Sequence, residues 1–237
     1  MKRSKTRYFF ALLSAFLMGC EGNSVPSTSG LASSPSVDTT KVPNCFDIYQ
    51  IAFGSDTLTT EWTGLTAATK STVGQLHITS GSFAIGDQVL LPHLQPCAQK
   101  VPAGDYDVEV VKVRHPQDPK FAINALMRVR FNELPPVSWK FASSNKAIMD
   151  TVSVHSENFV GFSVDAGSAI LYDQSKKTRI EDLELDQLWT DGIKVTKDFV
   201  AFSTNGDGRF PAYLGFDRDG NPCQLVIDLM LINCTCN

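Results

Sequence analysis

The sequence predicts a mainly β domain, an antiparallel sandwich or a partly open barrel, with one or two short helices. Three observations carry this expectation. Apolar and polar residues alternate with period two over several short runs, as in strands with one buried face. Turn signals separate those runs: Pro102-Ala-Gly104, His115-Pro-Gln-Asp-Pro119, Pro135-Pro136, Gly206-Asp-Gly208 and Asp219-Gly-Asn-Pro222. Helical periodicity is thin. Many short strands at regular spacing fit packed or closed sheets. Alternation alone does not distinguish sandwich from barrel.

In chain order, the first nineteen residues read as an export leader. Four cations (Lys2, Arg3, Lys5, Arg7) precede an apolar run from Tyr8 to Met18. That run is too short to span a bilayer, which takes roughly 20 apolar residues. Leu17-Met-Gly-Cys20 resembles the lipobox of bacterial lipoproteins, which implies acylation of Cys20 as the first mature residue. The bland alternative is an ordinary signal peptide with a coincidental Cys20. Glu21 follows the Cys, where Asp favours inner-membrane retention in enteric sorting, so a lipid-anchored place in the cell envelope, at the outer membrane, is expected.

Residues 20–43 form the acylated Cys and a tether. From Glu21 to Pro43, 14 of 23 residues are Ser, Thr, Pro or Gly, a composition that buries too little apolar surface to fold. As a flexible coil it spans roughly 26 Å. The remaining 194 residues, 44–237, read as a single β-rich domain. Removing the leader takes four of 21 Lys and Arg and none of the 25 Asp and Glu, so 17 against 25 leaves a net charge of −8. Such a chain is repelled by nucleic acid, so the expected partners are the membrane, through the lipid, and a protein.

Export also opens disulfide chemistry. Beyond Cys20 the disulfide candidates are Cys45, Cys97, Cys223, Cys234 and Cys236, an odd number that permits at most two bridges. Spacing does not rank the pairings. Zinc is the sharper alternative, but there is no Cys-x-x-Cys and no neighbouring His.

Strands are predicted at 47–53, 75–79, 105–114, 125–131, 137–141, 159–164, 199–203, 212–216 and 224–232. The clearest places Tyr106, Val108 and Val110 on one face, with Asp107 and Glu109 on the other. Arg128 and Arg130 alternate with Met127, Val129 and Phe131 in the next. Residues 179–189 predict a helix through Ile180 and Leu188, and 146–154 a turn or two more.

Several segments resemble a bacterial family known as domain of unknown function family 4241. They run from Ile78-Thr-Ser-Gly-Ser-Phe-Ala-Ile-Gly-Asp87 through Val101-Pro-Ala-Gly-Asp-Tyr-Asp-Val108, Arg128-Val-Arg-Phe131 and Trp139-Lys-Phe-Ala142. Gly161-Phe-Ser-Val-Asp-Ala-Gly167 and Tyr172-Asp173 continue the likeness. Ala201-Phe-Ser203, Gly206-Asp-Gly208, Gly215-Phe-Asp217, Asp219-Gly220 and Ile227-Asp228 complete it. Thr204-Asn205 and Phe210 depart from the family's usual residues. The resemblance implies a shared fold and no established activity.

Carboxylates are the main chemical candidates: Asp87, Asp165, Asp173, Asp207, Asp217 and Asp228. Gathered at one end of a β domain they could hold a hard cation, which wants six or more oxygens. Asp217-Arg-Asp219-Gly-Asn221 resembles part of a calcium loop but lacks its closing Glu. Hairpin chemistry, with Asp bonding its own backbone and Gly at positive φ, is favoured there. Asp165, Asp173 and Asp207 are the weak catalytic candidates, and a carboxylate capping backbone amides outranks a general acid at Asp165.

Gly161-Phe-Ser163-Val-Asp165 fails the Gly-x-Ser-x-Gly elbow at its last position. His77, His93, His115 and His155 are scattered. No cofactor or metal is expected. Trp62, Trp139, Trp189 and the 15 Phe residues could line a ligand groove or partner surface, but most are expected in the core, Trp139, Phe202 and Phe216 among them. Trp189, Asp217 and Asp219 are the weak binding candidates. Together these features predict a non-enzymatic binding module, immunity-type by analogy, with a metal-dependent or acid/base hydrolase built on clustered Asp as the alternative.

Overall fold

Alternation resolves into thirteen strands among the residues described by the computed structural model, 45–60, 64–115, 118, 120–145, 161–188, 190 and 192–232. The strands form antiparallel sheets with a few short helices, the mainly β class that the sequence predicts. The largest sheet runs β1 (Thr57–Thr60), β2 (Gly64–Ile78), β4 (Gly104–Arg114), β5 (Ala122–Arg130), β13 (Pro222–Asp228), β12 (Ala212–Phe216) and β6 (Ser138–Phe141), and it curls as half a barrel. A four-stranded sheet runs β3 (Phe83–Asp87), β8 (Ser168–Asp173), β10 (Phe199–Ser203) and β9 (Ile193–Val195). A ribbon pairs β7 (Phe162–Val164) with β11 (Gly208–Phe210). Gly161 permits that approach, since a Cβ there would collide with the Phe210 carbonyl oxygen.

One core lies between the two larger sheets. Leu76, Ile78, Met127, Val129, Leu225 and Ile227 meet Phe83, Ile85, Ala169, Leu171, Val200 and Phe202. Within each strand these are alternate residues, because successive side chains point to opposite faces. Full burial of each large side chain is worth roughly 1.5–3 kcal/mol.

Both outer faces are also covered. On the seven-stranded sheet, Tyr49, Ala52 and Phe53 pack on Leu126, Tyr213 and Val226. On the four-stranded sheet, Leu91, Ile180 and Leu188 pack on Ala84, Ile170, Tyr172, Phe199 and Ala201. Its strands are therefore buried on both sides, so β3 and β8 read as unbroken apolar runs without alternation.

Three sequence expectations are corrected. Residues 47–53 form the end of helix α1 (Cys45–Ala52) and its exit turn, not a strand. Tyr49, Ala52 and Phe53 bury together at i, i+3 and i+4, while Ile51 is exposed. The single helix expected over 179–189 is two, α2 (Lys177–Glu181) and α3 (Leu185–Leu188). Gln187 accepts the Glu184 amide at 3.1 Å, the return half of a capping box, so a new helix starts there. The final strand stops at Asp228, not residue 232, because Met230 takes positive φ and donates its amide to Asp228. The turn expected over 146–154 lies outside the described residues.

The polar face of β4 and β5 is not wholly solvated. Arg128 pairs with Glu109 across the strands at 2.5 Å, and the Phe53 ring stacks on its guanidinium at 4.0 Å. Both charges are largely buried and satisfied, as burial requires. Among the described residues no helix is long and apolar enough to cross a membrane.

Candidate functional site

Four of the six singled-out carboxylates are buried, Asp87, Asp173, Asp217 and Asp228, and all four are used in one way. Each sits at or just beyond a strand end, and its Oδ1 accepts the amide two residues ahead: Val89 at 2.8 Å, Ser175 at 3.0 Å, Asp219 at 3.0 Å and Met230 at 2.7 Å. Such a bond is the local turn that Asp favours. Each Oδ2 then reaches a distant segment.

For Asp87 that segment is Asp165 and Ala166, whose amides donate at 2.6 and 3.1 Å. For Asp173 it is Thr79 and Ser80, whose amides donate at 2.5 and 3.1 Å. The Ser80 and Thr79 hydroxyls also donate to Asp173. Burial would raise the Asp173 pKa, but these hydrogen bonds outweigh it and hold the carboxyl far below the usual carboxylate range. Asp217 receives Asn221 and Asn132, and Asp228 receives Tyr49. The Asn221 amide leads the causes that hold the Asp217 pKa below normal.

The predicted residues do not gather into one constellation. β3 and β8 pair Phe83 with Asp173 and Asp87 with Ala169, four residue steps, so the two carboxylates stand about 13 Å apart along the ladder, at opposite ends. Asp165 lies near Asp87 through its amide, while its carboxylate is exposed, as is that of Asp207. Asp219 is exposed on the Asp217 hairpin, where Gly220 takes φ 79°. Among the described residues no three His, Cys, Asp or Glu side chains are grouped to hold a metal.

Cys97 and Cys223 carry free, buried thiols. The side chain of Cys45 and the whole of Cys20, Trp62, His155, Trp189, Cys234 and Cys236 lie outside the described residues. Trp139 and Phe216 are half-buried and pack against the core clusters, and Phe202 is fully buried.

The carboxylate clamps build a recess that the candidate residues did not point to. Asp87 caps the 3-10 turn Gln88–His93, and Asp173 caps the turn Gln174–Lys176 that leads into α2. Between the first turn and α2–α3 lies a crevice of about 160 Å³, walled by Leu91, Pro92, Ile180, Leu183 and Leu188. Gln88 lines it at 1% exposure, and neither its Oε1 nor its Nε2 has a hydrogen-bond partner. A native buried amide rarely goes unpaired.

Tyr172 packs on the same walls, its hydroxyl also unpartnered. Burial and the Glu181 charge push its pKa up to about 12. Lys177 stands 3.8 Å from Glu181 and donates to the Pro92 carbonyl at 2.9 Å, tying the two sides. Val89 and Leu90, beside Gln88, are about half exposed.

A larger recess of about 210 Å³ lies along Thr69, Lys112, Arg114 and Lys120, and another of about 150 Å³ beside Leu134, Val137 and Arg218. Neither is lined by a buried polar group without a partner. The Gln88 crevice is therefore the candidate site. Its lining is mostly apolar, with Gln88 and Glu181 as the polar residues.

The model of the family described as "Protein of unknown function (DUF4241)" matches residues 76–197, just over half of the chain. The chain belongs to that family. All residues lining the Gln88 crevice fall inside the DUF4241 match, as do Asp87 and Asp173. Asp217 and Asp228 lie beyond it. No curated protein and no solved structure matches the chain.

Proposed function

We propose that this chain is a lipid-anchored envelope protein whose β domain is a non-enzymatic binding module for a protein partner. The observation that carries the reading is the Gln88 crevice: an unpaired, buried amide in an apolar recess, flanked by exposed Val89 and Leu90. Exposed apolar side chains beside a recess are the kind of surface that a partner covers. The anchor rests on the cationic, apolar leader ending at Cys20, and the Ser, Thr and Pro tether gives the domain reach. Glu21 favours the outer membrane. An immunity-type role against a secreted toxin is the partner class drawn by analogy with lipoproteins of this build.

No observation favours the hydrolase alternative. Asp173 commits both carboxylate oxygens to Thr79, Ser80 and Ser175, and Asp165 and Asp207 sit toward the other end of the β3–β8 ladder.

Two measurements test the proposal. Mass spectrometry of the N-terminal peptide from membrane-purified protein is expected to show acyl chains on Cys20; a bare thiol or an intact leader sinks the anchor. Capture with the acylated full chain is expected to recover a discrete partner that Val89→Asp loses. Equal recovery with both proteins removes the crevice from the binding surface.

A further inference from the structure

We infer that the recess along Thr69, Lys112, Arg114 and Lys120 is a binding site for a phosphate monoester, separate from the Gln88 crevice and independent of it. Topology makes the recess. On the inner face of the seven-stranded sheet the second layer reaches as far as Asn124, which lies opposite Lys112 and donates its amide hydrogens to the Gly192 and Ser203 carbonyls at 3.0 and 3.3 Å. Beyond it Ala67, Thr69, Arg114 and Ala122 stand exposed around a hollow of about 210 Å³. Their neighbours Ala68, Val113 and Ile123 point to the opposite face, into the cluster that α1 covers.

Charge supplies the next step. Thr69 pairs with Lys112, and Arg114 follows two residues on along the same face of β4, about 7 Å away. Lys120 comes from the hairpin next to Ala122, the residue opposite Arg114. Three cations therefore line one hollow, in a chain whose formal net charge is −4. No Asp or Glu among the described residues lines it. Asp118, on the same hairpin, is exposed and accepts the Lys120 amide at 3.1 Å. Neither the Lys112 nor the Lys120 ammonium has a hydrogen bond or ion pair among the described residues, and Lys112 is half-buried. Like charges this close repel, and an anion held between them relieves the repulsion.

The number of cations selects the anion. A phosphate monoester carries about −1.5 to −2 charges and three strong acceptor oxygens, enough to answer the three cations and the Thr69 hydroxyl together. A carboxylate brings one charge and two oxygens, which leaves cations over. Volume agrees with an ester. The hollow equals about seven waters at ~30 Å³ each, more than a phosphate group fills, so a short organic body has room against the Ala67 and Ala122 methyls.

The test is a calorimetric titration of the full chain at low salt with three probes: glycerol 3-phosphate, glycerate, and dihexanoyl phosphatidic acid below its micellar concentration. Glycerol 3-phosphate is expected to bind at least about tenfold more tightly than glycerate. The pair Lys112→Gln and Lys120→Gln is expected to lose at least about tenfold of the phosphate affinity while keeping the parent's thermal midpoint. The pair Lys112→Arg and Lys120→Arg keeps the charge and is expected to keep the binding. Equal binding of phosphate and carboxylate means diffuse counterion attraction and overturns the site. Binding of neither phosphate overturns it too, as does an affinity that the Gln pair leaves unchanged. The two phosphates separate the sources, and either result upholds the site: tighter binding of the phosphatidic acid names a lipid headgroup, and equal or tighter binding of glycerol 3-phosphate names a soluble ester.

Discussion

Tyr49 donates its phenolic hydrogen to the Asp228 carboxylate at 2.7 Å, joining residues 179 positions apart. The bond pins α1 to the end of the last strand, where the other Asp228 oxygen holds the turn at Met230. Tyr49→Phe keeps the ring's packing against Tyr213 and Trp139 and removes the donor. Leaving a buried carboxylate short of a partner is expected to cost about 1–3 kcal/mol. Denaturant unfolding reads this directly, and a change under about 0.5 kcal/mol would contradict the clamp.

Asp173 is the clamp with the most donors. Asp173→Asn places amide hydrogens against the Thr79 and Ser80 donors and is expected to destabilise the fold by about 3 kcal/mol. The pH dependence has a definite sign. The folded-state pKa is depressed, so the stabilisation is complete above the unfolded value near 4 and is lost as pH falls below it. Stability measured from pH 5 down to pH 2 should fall more steeply in the parent protein than in Asp173→Asn. Parallel curves would mean that Asp173 does not carry this linkage.

Some of this architecture was legible and some was not, for reasons visible in particular residues. Tyr106, Val108 and Val110 announced β4 because one face of that strand is core. β3 and β8 lie buried on both faces, so Phe83–Asp87 and Ser168–Asp173 carry no alternation to read. Tyr49, Ile51 and Phe53 mimic period two, and only the Tyr49, Ala52, Phe53 spacing betrays a helix. Asp is legible in the sequence as a turn residue, but which of the acidic residues are buried at strand ends is a property of topology: Asp87, Asp173, Asp217 and Asp228 are, while Asp165 and Asp207 are exposed. Gln88 carried no signal at all: an unpaired amide is defined by what surrounds it, and its neighbours in the crevice come from residues 180–188.

Buried thiols give a third expectation. Burial pushes the Cys97 thiol up to about 12, and burial together with the Asp217 charge pushes Cys223 up to about 11. Little thiolate exists at pH 8, and thiolate is the reacting species. Iodoacetamide should leave both residues unlabelled in the folded protein and label both after unfolding. Rapid labelling in the native state, or a disulfide through either residue, would contradict the structure.

Gln88→Leu supplies a stability test separate from any ligand. An amide serving the fold would be missed when replaced by an apolar side chain of similar size. An amide held unpaired costs the fold instead, so the variant is expected to be unchanged or more stable by about 1 kcal/mol. A loss above about 1 kcal/mol, read by thermal unfolding, would assign Gln88 to architecture.

The most direct measurement of the central claim is site-specific photo-crosslinking in living cells, with a photoreactive residue replacing Val89 beside the crevice and, as a control, Asp219 on the Asp217 hairpin. One discrete protein adduct is expected from position 89, abolished when Leu90→Asp is added beside it, and none from position 219. Adducts of equal yield from both positions, or none from position 89, would contradict it.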